Sequence, residues 1–87
     1  MQSEGKERYR TIGEVSELLG VETHTLRHWE KEFKDFVRPG RNGRRVRIYS
    51  PEDIETLRAI QNLLTIELYT TAGARRQMYL RRARNSA

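Results

Sequence analysis

Residues 11–33 read TIGEVSELLGVETHTLRHWEKEF, and residues 38–53 read RPGRNGRRVRIYSPED. Thr11 with Glu14 three residues later is a capping-box pattern. Ile12, Val15, Leu18 and Leu19 then recur at helical spacing, and Gly20 supplies a left-handed stop. This predicts a helix of about two turns. Val21 and Glu22 make the connection, and Thr23 is placed to cap a second helix. In that helix Leu26, Trp29 and Phe33 form one inward stripe at spacings of three and four. His24, Thr25, Arg27, His28 and Lys31 are left on its other faces. The reading is two short helices joined by a tight turn.

Beyond this pair, Pro39-Gly40 and Asn42-Gly43 are turn signals. Phe36-Val37-Arg38 precedes them and Val46-Arg47-Ile48-Tyr49 follows, which predicts a short, basic β-hairpin. Ser50, with Pro51 at the first helical position and Asp53 three residues after the cap, opens a third helix. Ile54, Leu57, Ile60, Leu63 and Leu64 carry its apolar spacing. Thr70 or Thr71 caps a fourth, short segment around Ala74, Met78 and Leu80 that dissolves into RRARNSA. Residues 1–8 are polar and aperiodic, as in a disordered lead-in. The expected organisation is therefore a lead-in over 1–8, a domain over 9–80 and a basic tail over 81–87. The expected fold is mainly α with a small β-hairpin wing, a winged helix-turn-helix.

Composition limits what such a domain can do. A chain of 87 residues buries roughly 60% of its unfolded surface, which leaves little room for a cleft. No Ser/His/Asp set, paired carboxylates or phosphate-binding glycine loop is visible, so an enzyme is not expected. The net charge of +5 and a pI of 10.1 favour a polyanionic partner. The absence of cysteine fits a reducing compartment, and no apolar run approaches membrane-spanning length. The N-terminal MQSEGKERYR lacks a secretion signal's apolar segment. The expectation is a soluble, cytoplasmic protein that binds double-stranded DNA in the nucleoid, with no cofactor and no membrane partner.

The N-terminal part of a helix in the major groove presents its side chains to base edges and its dipole to phosphate. That makes Thr23, His24, Thr25, Arg27 and His28 candidate DNA contacts. In the hairpin, Arg38, Arg41, Asn42, Arg44, Arg45, Arg47 and Tyr49 complete the set, because arginines without intervening acids grip phosphates or enter a narrow minor groove. A single domain of this size discriminates poorly, so a pair on a palindrome is the expected working form.

Several separate motifs in the right order resemble the DNA-binding domain of the MerR superfamily of bacterial transcription regulators. These are TIGEVSELLGV, HTLRHWE, RIYSPEDI and EDIETLRAI, and together the likeness covers Tyr9 to Met78. His28-Trp29 stands where a tyrosine pair is common in the family, and the PGRNGRRVRIY wing is longer and more basic than usual. The resemblance implies a homodimer that bends and untwists promoter DNA, with RNA polymerase as a further partner, where a dimer contact is provided. Ligand-responsive members continue into a long dimerisation helix. Here Arg81, Arg82 and Arg84 follow the fourth segment without apolar heptads.

Other readings compete residue by residue. Trp29 serves either as core or as a base-stacking platform. His24, His28 and Glu32 are spaced as zinc ligands on one helix face, but they lack a fourth ligand. Arg47 and Tyr49 suit a structural pairing with Glu30 across the wing base as well as DNA contact. The wing arginines suit a solvated loop, and Arg75, Arg76, Arg81, Arg82 and Arg84 suit a solvated face, a nonspecific clamp or the start of a longer helix. An architectural or excisionase-like DNA-bending protein, or a module that docks on the transcription machinery, is the alternative to a regulator.

Overall fold

The computed structural model describes residues 9–86, so the expected lead-in over 1–8 lies outside the described residues. Thr11 ends a two-residue strand, β1 (Arg10–Thr11), and caps α1 (Ile12–Leu19). Its backbone N–H donates to Glu14 Oε1 at 2.9 Å, and the Glu14 N–H donates to Thr11 Oγ1 at 3.3 Å. This reciprocal capping box satisfies donors that the first helical turn cannot satisfy itself. Gly20, at φ 69°, stops the helix in the left-handed region where a Cβ is disfavoured. Ser16 Oγ then donates to the Val21 carbonyl at 2.5 Å and ties the turn back to α1.

The second helix, α2 (Thr23–Glu32), differs from expectation at its start. Its N-cap is Glu22, which makes no side-chain capping bond, and Thr23 is already helical. The carbonyl of Glu22 accepts from the Thr25 and Leu26 amides at 3.0 Å each, so backbone geometry alone begins the helix. Leu26, Trp29 and Phe33 face inward, and Trp29 is only 6% exposed. It is a core residue rather than a stacking platform.

The hairpin is shorter than the sequence suggested. Strands β2 (Gly40–Arg41) and β3 (Arg47–Tyr49) pair antiparallel, and β3 also pairs with β1, giving a three-stranded sheet of order β1-β3-β2. Ile48 lies opposite Thr11 on one side and Gly40 on the other. Phe36 and Val37 do not join a strand. They follow a turn after α2, where Val37 is buried and Phe36 packs against the core's edge. Burial of these side chains outweighs the β-propensity that placed them in the hairpin.

Ser50 and Asp53 form a second reciprocal capping box, with Pro51 at the start of α3 (Pro51–Gln61). The helix continues into a π-helical turn (Asn62–Ile66). It closes with the Tyr69 amide donating to the Leu63 carbonyl at 2.9 Å and Leu68 left-handed at φ 61°. Thr70 caps α4 (Thr71–Ser86) through Oγ1, which accepts from the Gly73 amide at 3.1 Å. The expected tail is therefore largely helix: residues 81–86 form the last turns of α4, carried by arginine and alanine, which are good helix formers. Leu26, Phe33, Tyr49, Leu57, Ile60 and Leu63 are fully buried in one cluster that includes Ala74 and Met78 of α4.

Leu68 combines a left-handed backbone with a side chain 77% exposed. The conformation costs about 1–2 kcal/mol for an L-residue, offset in a glycine replacement by about 0.5–1 kcal/mol of unfolded-state entropy. Leu68→Gly should therefore raise the Tm by about 4 °C. A lower Tm in thermal unfolding would show that the Leu68 side chain contributes more than its exposure indicates.

Candidate nucleic-acid interface

The alternation of buried and exposed positions on α2 decides which side chains are free. His24, Arg27, His28 and Lys31 are exposed on one side of the inward stripe, while Thr23 and Thr25 are partly covered near the helix start. His24 lies 3.6 Å from Glu22, with both side chains largely in solvent, so the pair contributes little. Among the described residues no three His, Cys, Asp or Glu side chains gather as metal ligands.

The wing tip is organised by Asn42. Its Oδ1 accepts from the Arg44 amide at 2.8 Å and the Val46 amide at 3.0 Å, and its own amide donates to the Val46 carbonyl at 3.0 Å. The positive φ in this turn belongs to Arg45, at 65°, and not to Gly43. Asn42 thus acts through the turn it closes, holding Arg44 and Arg45 outward with their side chains exposed. Arg38 is also exposed, but it is anchored: its amide donates to Asp53 Oδ1 at 3.3 Å and its Nε to the Lys34 carbonyl at 3.3 Å.

At the wing base the structure separates two candidates from the rest. Tyr49 has no exposed surface, and its hydroxyl donates to the carboxylate of Glu30. Arg47 is partly buried and lies 3.3 Å from Glu30 Oε1. Of the two readings for these residues, the structure places both in the Glu30 pairing. Tyr49 offers a duplex no surface and leaves the set of candidate contacts, whereas the partly exposed edge of Arg47 remains available. Glu30 therefore ties α2 to β3 through both its oxygens. Burial pushes its carboxyl above the ordinary value of 4.5, outweighing the opposing pull of the Arg47 and Arg27 guanidiniums.

Arg27, Lys31, Arg41 and Arg47 line one cleft between α2 and the wing, with Glu30, Val37 and Pro39 also in its wall. Lys31 was not among the sequence candidates. Its spacing of four from Arg27 was the available signal, because residues four apart share a helix face. Four cations around one carboxylate leave a net positive cleft suited to a phosphate. Farther along, Arg75 pairs with Glu32 at 2.9 Å and Arg82 donates to the Asp35 carbonyl, so part of the C-terminal arginine run is internally engaged.

Two short helices around a tight turn, a three-stranded sheet with a basic wing and a cationic cleft between helix and wing define a winged helix-turn-helix domain. Residues 10–80 match the family model described as MerR HTH family regulatory protein, and the chain belongs to that family. It is a family of DNA-binding regulators of transcription, not of enzymes. No curated protein matches the chain. No helix among the described residues is long and apolar enough to cross a membrane.

Because the native state holds the Glu30 proton at higher pH than the unfolded chain, this group favours folding below the ordinary value of 4.5. Its contribution is lost as pH rises through the raised native value. Glu30→Gln lacks this titration. The wild type should therefore gain urea-unfolding stability relative to Glu30→Gln as pH falls from neutral toward 4.5. A stability gap that does not change with pH would reject the raised carboxyl.

Proposed function

We propose that the protein binds double-stranded DNA in a sequence-selective manner and regulates transcription, with α2 in the major groove and the wing on the backbone or in the adjacent minor groove. The observation that carries this reading is the shared exposure of His24, Arg27, His28 and Lys31 on α2 beside the cationic cleft. Thr23 and Thr25 stand at the helix start, where the amides and dipole favour a phosphate. His24, Thr25 and His28 supply base readout, and Arg27 and Lys31 flank it with charge. Arg38, Arg41, Arg44, Arg45 and the open edge of Arg47 supply backbone contacts. Asn42 shapes the wing.

Charge and readout divide the work. Each phosphate neutralised contributes about 0.9 to the slope of log affinity against log salt, so the wing dominates affinity. A good bidentate base contact is worth about 1–3 kcal/mol, so the few free positions on α2 dominate selectivity. One such surface discriminates weakly, which favours a homodimer on an inverted repeat, with RNA polymerase as the neighbour at a promoter.

Selection of bound duplexes from a random pool at physiological salt tests the reading. An enriched inverted repeat is the expected result; tight, salt-sensitive binding without enrichment would identify an architectural DNA-bending protein instead. Replacing both Arg44 and Arg45 with Ala should weaken binding to every duplex and reduce the salt slope by about 1.8. An unchanged slope would remove the wing from the interface. Thr25→Ala or His28→Ala should instead relax preference at one or two base positions by about tenfold, and unchanged preference in both would move readout elsewhere.

A further inference from the structure

The C-terminus of α2 has no glycine stop of its own. The helix ends at Phe33 with φ −118°; the Trp29 carbonyl accepts from the Phe33 amide and the Phe33 carbonyl from the Phe36 and Val37 amides, which leaves the Glu32 carbonyl among those the helix itself does not satisfy. Part of what they lack arrives from α4. Arg75 Nε donates to the Glu32 carbonyl at 3.0 Å, while its Nη2 donates to Glu32 Oε1 at 2.9 Å. One turn farther along α4 the Tyr79 hydroxyl donates to the Asp35 carboxylate, and about two turns farther Arg82 donates to the Asp35 carbonyl. The Arg82 guanidinium lies 4.2 Å from the centroid of the Phe36 ring, and the Phe36 and Tyr79 rings meet edge to face at 4.8 Å and 65°.

These groups occupy the negative end of the α2 dipole, where a cation is favourable. They are not among the residues that line the cationic cleft. Ala74 and Met78 bury the same helix into the core and hold the three side chains against α2. An arginine reaching both the last carbonyl and the last side chain of a helix limits how that helix frays and tilts, which a solvated arginine face does not do.

We propose that Arg75 forms a C-cap for α2 supplied by α4, that Tyr79 and Arg82 brace the turn that follows it, and that the three are positioning residues for the DNA readout made by residues 24–31 of α2. The second half of this proposal rests on the DNA-binding reading above; the first half stands on the free protein. The cap sets α2 against the wing from behind, so its loss changes selectivity without removing a phosphate contact.

Discrimination, rather than overall affinity, separates this role from a purely electrostatic one. Glu32→Ala removes a negative charge, which by electrostatics alone would raise affinity for every duplex. As part of the cap, Glu32→Ala should instead reduce discrimination between selected and scrambled duplexes by about fivefold. Arg75→Ala should do the same with its salt slope unchanged, the double variant should lose no more than either single one, and Arg75→Lys should recover part of the loss. Unchanged discrimination for Glu32→Ala, or a fall of about 0.9 in slope for Arg75→Ala, would overturn the positioning role.

In the free protein, Arg75→Ala should speed hydrogen exchange of the Phe33 and Val37 amides, which donate to the Trp29 and Phe33 carbonyls at 2.8 and 3.1 Å. Unchanged protection there would overturn the cap itself. If the wild type discriminates no duplex, the DNA reading fails, and the exchange measurement still decides the cap.

Discussion

A single carboxylate, that of Glu30, holds the exposed face of α2 in register with the wing. One oxygen meets Arg47 and the other receives the Tyr49 hydroxyl, so helix and sheet are joined at the base of the cationic cleft. Charged groups with few water partners are costly unless paired and hydrogen-bonded, and this pairing offsets part of the burial of a carboxylate whose side chain is only 11% exposed. Burial of Tyr49 in the cluster that holds Leu26, Trp29 and Phe33 adds apolar packing to this directional link.

The same economy of parts recurs around α2. Its start is closed by backbone bonds to Glu22, its inward stripe enters the core, and its end is met by Arg75 from α4. The helix is therefore held by its own first turn, by the core and by α4, which lies far from it in sequence. Gln61 adds a bond from α3 to the Leu19 carbonyl at 2.8 Å, which fixes the end of α1 as well. A small domain with limited burial gains orientation from such directional contacts, because the apolar core alone specifies helix angles less sharply than it specifies collapse.

Within the positive surface, charges differ in what they are free to do. Arg44 and Arg45 project from a tip whose backbone is closed by Asn42, whereas Arg38, Arg47, Arg75 and Arg82 each have an internal partner. A count of arginines would treat them alike. The MerR family assignment rests on the match over residues 10–80, and capping boxes and core spacings, not arginine count, define the fold that it shares.

The sequence by itself determined the elements whose causes are local. The Thr11–Glu14 and Ser50–Asp53 boxes, the Gly20 stop and the Leu26–Trp29–Phe33 stripe each depend on residues within one or two turns and form where spacing put them, and of the two threonines offered as the α4 cap it is Thr70 that serves. The winged helix-turn-helix followed from their order. Tertiary structure decided whatever depends on partners distant in the chain: the pairing of β1 with β3, the removal of Phe36 and Val37 from the hairpin, the burial of Tyr49 on Glu30 and the extension of α4 against α2. A side chain's pattern states its preference for burial or solvent. Only the assembled chain supplies the neighbour that satisfies a hydroxyl, a guanidinium or an orphan carbonyl.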